Sequence, residues 1–193
     1  MISKMIRLCK KDKVCRIYTD SEYRARYLSD DNCYLILPED VEFKSRDALA
    51  FAGLEADADD IKYGDLDFKK GAGIVSRFFD DAGYEKIDRF SPVIKLDGFE
   101  YAMFDTKKGM LFVKELYIHL FRDIGYREYY LSEISGQIAV LVVHNNTVVG
   151  AMHPEKMDTF FLKELFSFMH GSVCKANNNH FCDAGFHQEK LEV

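Results

Sequence analysis

Between residues 170 and 187 the chain carries three histidines and two cysteines, which are residue types that bind zinc. They are His170, Cys174, His180, Cys182 and His187. A structural Zn²⁺ ion takes four nitrogen or sulfur ligands in a tetrahedron, and His170, Cys174, His180 and Cys182 are our candidate ligands. The Cys-x2-Cys pair of familiar zinc motifs is absent from the sequence. A tail with incidental His and Cys residues is therefore the alternative, and zinc is the one cofactor that the sequence suggests.

A second set of candidate functional residues is basic. Residues 1–28 contain eight Lys or Arg and three Asp or Glu, whereas the whole chain has a formal net charge of −6. We predict a hairpin over Met5–Tyr18 with Lys10, Lys11 and Lys13 at its charged tip. A second strand pair is predicted over Tyr23–Leu28 and Cys33–Leu37, with Asp30-Asp31-Asn32 as its turn. In the first strand of this pair Arg24 and Arg26 alternate with Tyr23, Ala25 and Tyr27, a pattern that can stack on nucleic-acid bases. The alternative interpretation is a strand with one solvent-exposed face and one buried face.

The sequence contains none of the common catalytic motifs. A nucleophile elbow, a phosphate-binding P-loop, a dinucleotide fingerprint and a His-Glu-x-x-His zinc motif are all missing. This favours a protein that is not an enzyme. No apolar run approaches the roughly 20 residues that span a bilayer, and five cysteines in a chain without an export signal indicate reduced thiols. We therefore expect a cytoplasmic protein with no membrane partner.

The elements that would position these residues are suggested by an internal repeat. Val93–Phe121 aligns without a gap on Val142–His170 at a shift of 49 positions, with eight identical pairs. Each copy predicts a strand, a tight turn, a second strand and a helix. Asp-Gly at 97–98 and Asn-Asn at 145–146 suit type I′ turns. The helices are predicted to start at Gly109 and Asp158, with the repeated Lys-Glu pairs, Lys114-Glu115 and Lys163-Glu164, on the solvated face.

Weaker copies upstream complete the predicted organisation. We expect an α+β fold in which hairpin-plus-helix units form antiparallel sheets, with the helices packed on one face. Residues 1–89 would form an N-terminal lobe of two weaker units, residues 90–171 a C-terminal lobe, and residues 172–193 a tail. Hairpin edges can also pair between subunits, which allows a homodimer.

Three functions remain open at this point. The first is a non-catalytic macromolecular-interaction protein, in particular an acidic inhibitor of a nucleic-acid-binding protein. The duplicated strand-and-helix plan also resembles the architecture of DNA sliding clamps. That resemblance implies a DNA-associated accessory protein that uses the basic residues Lys10, Lys11, Lys13, Arg24 and Arg26. The third is a metal-dependent module or enzyme at the C-terminal Cys and His residues. The expected partner is accordingly another protein, DNA or a DNA-binding protein.

Overall fold

The structure is a computed structural model that describes residues 1–22, 24–39, 42, 44–54, 60–68, 84–107, 109–134, 136–157, 162, 165 and 167. Its helices are α1 (Ile2–Asp12), α2 (Ser45–Phe51) and α3 (Glu115–Leu120), with a short 3-10 helix at Arg122–Ile124. Its strands are β1 (Val14–Asp20), β2 (Ala25–Ser29), β3 (Cys33–Ile36), β4 (Lys62–Asp67), β5 (Glu85–Leu96), β6 (Phe99–Thr106), β7 (Gly109–Lys114), β8 (Glu128–Ile134), β9 (Gln137–His144) and β10 (Thr147–Met152). The protein is thus α+β, and strands predominate.

These strands form one mixed sheet in the order β4-β1-β2-β3-β10-β9-β8-β5-β6-β7. All neighbouring strands pair antiparallel except β1 and β4, which run parallel. The pairing of β3 with β10 joins the early strands to the late ones. The predicted antiparallel pair formed by β2 and β3 is confirmed.

Strand β5 is long enough to pair with two different strands along its length. Glu85–Ile87 pair with β8, whereas pairing with β6 begins at Asp88 and continues to Leu96, with a register shift between Arg89 and Val93. The predicted lobe boundary between residues 89 and 90 falls inside this strand. At the other end of β5-β6-β7, Phe112 forms an isolated bridge with Glu155, just after β10. The division into lobes stays a prediction.

Both predicted tight turns have the required backbone conformation. Asp97 and Gly98 have φ angles of 49° and 80° between β5 and β6. Asn145 and Asn146 have φ angles of 48° and 59° between β9 and β10. Positive φ at both central residues is the type I′ requirement, and it matches the right-handed twist of the flanking strands. These dipeptides therefore set the register of the two hairpins.

The sheet has a core on each side. The helix-side core contains buried residues of all three helices, among them Met5, Ile6, Cys9, Ala48, Leu49, Tyr117, Ile118 and Leu120. The opposite-side core includes Tyr27, Tyr34, Leu141 and Val143. Successive residues of β9 alternate between the two cores, because side chains along a strand point to opposite faces. The described helices thus pack on one face, as expected.

The predicted N-terminal hairpin is wrong. Residues 2–12 are helical, and Lys13 ends α1 in the left-handed conformation with a φ of 59°. Ile2, Met5, Ile6 and Cys9 follow the i, i+3, i+4, i+7 pattern of an amphipathic helix, and the last three are buried. That apolar stripe outweighs the short alternation of Ile6 and Leu8 that favoured a strand.

The predicted start of the middle helix at Gly109 is also wrong. Gly109–Lys114 form β7, which pairs with β6 along its whole length, and the helix begins only at Glu115. In the second copy Leu162, Leu165 and Ser167 are helical, although Leu162 aligns with Val113 in β7. Asp158, Phe161 and the Lys163-Glu164 pair lie outside the described residues. The duplication therefore stays a prediction.

Two compact units divide the chain, Met1–Glu155 and Lys156–Val193. The first unit contains every strand and helix labelled above. Within the described part of the chain, every helix is too short or too polar to cross a bilayer.

Candidate functional site: a basic groove between α1 and α3

The predicted metal ligands His170, Cys174, His180 and Cys182 lie outside the described residues, as does His187. Within the described ranges, no three His, Cys, Asp or Glu side chains are grouped so that they could hold a metal ion. The zinc site accordingly stays a prediction of the sequence.

The predicted nucleic-acid-binding residues occupy two elements. Lys10 and Lys11 lie in the last turn of α1, and Lys13 follows as its C-cap. Arg24 precedes β2 with a φ of 52°, and Arg26 lies within β2 opposite Thr19. Of these five residues, Lys11 lines the groove described next.

That groove lies between α1 and α3. A depression of about 490 Å³ is lined on one side by α1 residues and on the other by α3 and the 3-10 helix that follows. The α1 wall contributes Lys4, Arg7 and Leu8. The opposite wall contributes Leu116, His119, Leu120, Arg122 and Asp123.

The position of these cations follows from the amphipathic character of α1. Met5, Ile6 and Cys9 are buried against the sheet. Residues three and four apart share one helical face, so Lys4, Arg7 and Lys11 form a basic stripe beside the buried one. Helix α1 therefore presents three cations, about one per turn, to the groove.

A second depression of about 200 Å³ continues the first and shares Leu116 and His119 with it. Its further lining is Lys11, Gly98, Phe99, Glu100 and Glu115. The Phe99 ring is 39% exposed, and the Nζ atoms of Lys11 and Lys114 lie 5.6 and 5.3 Å from its centre. Such distances are those of cation–π contacts. We call the two depressions together the α1–α3 groove.

The charges of the groove are partly neutralised by ion pairs. Lys4 is paired with Asp123, and this lysine lowers the pKa of the Asp123 carboxyl. Lys114 is paired with Glu155 at 2.7 Å. Among the described residues, none forms an ion pair with Arg7, Lys11 or Arg122. These three side chains leave positive charge available along the groove.

Glu115 is buried at the base of the groove rather than solvated. It is 7% exposed, and Arg89 of β5 approaches both of its carboxylate oxygens. The Nε2 atom of His119, one turn along α3, lies 3.4 Å from Glu115 Oε1. The prediction that Lys114 and Glu115 lie on a solvated helix face is therefore wrong, because Lys114 is the last residue of β7 and Glu115 is buried.

Beneath the two walls lies a buried polar cluster. Asp30, in the β2–β3 turn, is 1% exposed, and its Oδ1 atom accepts the backbone N–H groups of Asn32 and Cys33 at 3.0 and 2.7 Å. The hydroxyl of Tyr117 in α3 donates to Asp12 Oδ2 at 3.2 Å. Burial raises the pKa of Asp30 to about 7, and its hydrogen bond with Asp12 and the Asp12 charge add to the rise.

Three cysteines surround this cluster as free, buried thiols: Cys9, Cys15 and Cys33. A hydrogen bond between Cys9 and Cys15 lowers the pKa of the Cys15 thiol and raises that of Cys9. The Cys9 sulfur also lies 3.5 Å from the carbonyl oxygen of Ser29. Cys9 and Cys15 are therefore neighbours, although they lie on a helix and a strand rather than on the arms of one hairpin.

Comparison with protein-family models, curated proteins and solved structures gives no match to this chain. Function must therefore be argued from the groove and its chemistry. Our sequence interpretation did not include Lys4, Arg7, His119 and Arg122 among the site residues. The spacing of Lys4, Arg7 and Lys11 could have revealed the α1 wall, had residues 2–12 been interpreted as a helix.

Proposed function

We propose that the protein is a non-catalytic macromolecular-interaction protein whose α1–α3 groove binds nucleic acid. The observation that carries the proposal is the set of cations without an ion-pair partner among the described residues, Arg7, Lys11 and Arg122, along one open groove. Arginine and lysine bind phosphates by charge and hydrogen bonds, and phosphate contacts dominate the affinity of nucleic-acid-binding proteins.

The form of the groove supports a small number of phosphate contacts. Three cations would release about three counterions from duplex DNA, so log K would fall with log salt at a slope of about −2.7. The remaining acidic surface restricts binding to this groove, since the formal net charge of the chain is −6. We therefore expect modest affinity that disappears at high salt.

The test is fluorescence anisotropy of a labelled duplex titrated with the full chain from 20 to 300 mM salt. The variant Arg7→Gln/Lys11→Gln/Arg122→Gln should bind at least tenfold more weakly at low salt and lose most of the salt slope. The matched control is Arg46→Gln/Lys62→Gln/Lys107→Gln, which removes the same charge at exposed positions outside the groove lining. Equal loss in both variants, or no binding by the wild type at low salt, would refute the proposal.

A second candidate is the inhibition of a nucleic-acid-binding protein by acidic surface that mimics phosphate charge. It is supported by β4, which carries exposed Asp65 and Asp67. This function requires no DNA binding by the chain itself. Its test is competition: the protein should displace DNA from a basic partner identified in the native host, and Asp65→Asn/Asp67→Asn should weaken the displacement.

Three finer predictions accompany these functions. We propose that the hairpins β5–β6 and β9–β10 descend from one duplicated unit. Both use a type I′ turn, and the two turns lie 48 positions apart, within one residue of the shift of 49 that aligns the two segments. A homodimer would show twice the chain mass of 22.3 kDa in light scattering. A cytoplasmic location is consistent with three buried thiols that remain unpaired.

A further inference from the structure

Only one of the two carboxylate oxygens of Asp30 accepts hydrogen bonds from the described residues. Its Oδ1 atom accepts two backbone N–H groups, from Asn32 and Cys33. Its Oδ2 atom is buried, and none of the described residues donates a hydrogen bond to it. The carboxyl of Asp12, at the C-terminal end of α1, lies within hydrogen-bonding reach. Two ionised carboxylates only accept hydrogen bonds, so this pair needs a proton to interact favourably.

We propose that Asp12 and Asp30 share one proton in the folded chain, and that this proton links the C-terminal end of α1 to the β2–β3 turn. A shared proton turns two repelling carboxylates into an O–H···O⁻ hydrogen bond, which is short and stronger than a neutral one. It also removes one charge from a site where Asp30 is 1% exposed. The proposal does not depend on the identity of any ligand.

Tyr117 extends this arrangement to a third element. Its hydroxyl donates to Asp12 Oδ2 at 3.2 Å, and the side chain is fully buried in the helix-side core. The two carboxyl groups with their shared proton, together with the Tyr117 hydroxyl, therefore connect α1, the β2–β3 turn and α3. Since α1 and α3 are also the walls of the groove, loss of the proton would loosen both walls together.

Four titratable groups around the pair have raised pKa values and stay protonated near neutral pH: Cys33, Tyr117, Tyr34 and Cys9. Burial raises the pKa of Cys33 and of Tyr117, and raises that of Tyr34 to about 12. The Cys9 thiol, on α1, also has a raised pKa, chiefly through its hydrogen bond with Cys15.

Three further groups lie around the Asp12–Asp30 pair: two that are charged and one thiol whose pKa is lowered. Asp31, next in the turn, is paired with Arg16 at 2.9 Å. The charge of Asp12 is one of the causes that raise the pKa of Lys114 in β7. Cys15 has a lowered pKa through the hydrogen bond from Cys9, so its thiol is the one other group that we test.

The sign of the pH dependence follows from the raised pKa of Asp30, which is about 7 in the folded chain against an ordinary value of 3.8. Below the ordinary value both the folded and unfolded chains hold the proton. Between that value and about 7 only the folded chain holds it, so stability falls as pH rises. The unfolding equilibrium constant should increase up to about tenfold per pH unit from this single site, and then level off above pH 7.

The first test is urea unfolding of the full chain between pH 4 and 9. Asp30→Asn keeps a carbonyl oxygen for the two backbone N–H groups and offers an N–H₂ to Asp12, so it should remove the site's pH slope and be more stable than wild type at pH 8. Asp97→Asn removes the same charge at an exposed turn and should keep the wild-type slope. Cys15→Ser should also keep it. A slope retained in Asp30→Asn, or removed by Cys15→Ser, would overturn the proposal.

The second test does not require Asp30→Asn to fold. In ¹³C NMR of the wild-type chain, one aspartate carboxyl carbon should titrate above pH 6. In Asp12→Asn, whose amide can donate to Asp30 without a shared proton, that titration should move down by at least one pH unit. If every aspartate carboxyl of the folded wild type titrates below pH 6, or if Asp12→Asn leaves the high titration in place, the shared proton is excluded.

Discussion

The Nη2 atom of Arg89 lies 2.7 and 2.8 Å from the two carboxylate oxygens of Glu115. Arg89 borders the register shift in β5, and Glu115 is the first residue of α3. The pair therefore holds the helix against the irregular part of β5. It also keeps Glu115 in place beside His119 at the edge of the groove.

We predict that Arg89→Met destabilises the fold by about 2–3 kcal/mol, because it leaves a buried carboxylate without its partner. The estimate is at the lower end for buried pairs since the Arg89 side chain is 27% exposed. Urea unfolding at pH 7 measures it. Lys86→Met, which breaks the more exposed pair with Glu128, should have a much smaller effect, and an equal effect would contradict the prediction.

Gly150 in β10 has no room for a side chain. A Cβ atom there would lie 2.5 Å from Cε1 of Phe121 and from the carbonyl oxygen of Tyr34. Because the carbonyl belongs to the paired strand β3, it cannot move cheaply. We predict that Gly150→Ala destabilises by about 3 kcal/mol, the upper part of the range for overpacked cores, as measured by thermal or urea unfolding.

Gly64 provides the matched control for that substitution. It lies in β4, and none of the described atoms approaches within 4 Å of the position its Cβ would take. Gly64→Ala should be neutral or slightly stabilising, since glycine weakens a strand. A cost at Gly64 comparable with that at Gly150 would contradict the assignment of the Gly150 cost to crowding by Phe121 and Tyr34.

The β9–β10 turn predicts a stabilising substitution. Asn145 and Asn146 both have positive φ angles, at 48° and 59°, and Asn-Gly is the preferred pair for a type I′ turn. Asn146→Gly should raise stability by a few tenths of a kcal/mol, whereas Asn146→Thr should lower it by about 1–2 kcal/mol, because β-branched residues resist this conformation. If both variants shift the unfolding midpoint in the same direction, the turn does not set the hairpin register.

The zinc prediction is checked by metal analysis. If His170, Cys174, His180 and Cys182 form a tetrahedral site, the purified protein should contain about one equivalent of zinc, and chelation should release it. Cys174→Ser/Cys182→Ser should abolish the metal content. Less than about a tenth of an equivalent in the wild type, on the scale of tight structural sites, would exclude the metal-dependent module.

The two hairpin turns could be predicted from the sequence because their chemistry is local. Asp97-Gly98 and Asn145-Asn146 are residues that tolerate positive φ, and the apolar runs on either side fixed the strands. The pair β2–β3 was predictable for the same reason, since Asp30, Asp31 and Asn32 interrupt two apolar segments. In each case the deciding information lies within about a dozen residues.

The groove was not predictable, because it depends on two elements whose interpretation was ambiguous. Residues 2–12 carry both a helical stripe and a short strand-like alternation, and packing of Met5 and Cys9 on the sheet decides between them. Phe112 lies at a spacing of four from Leu116, which suggested one continuous helix, yet pairing with β6 makes residues 109–114 a strand. The proximity of Asp12, Asp30 and Tyr117 arises from the tertiary fold, and no local sequence pattern indicates it.

The link between β3 and β10 has a consequence for biosynthesis. Leu35 pairs with Gly150, across roughly 115 residues of intervening sequence, so this contact cannot form while the ribosome is still adding the middle of the polypeptide. Closing so long a loop costs entropy before any pairing is gained. Until that moment the free edge of β3 is available to other strands. Nascent chains stalled before residue 150 should therefore be the species that depends most on chaperones.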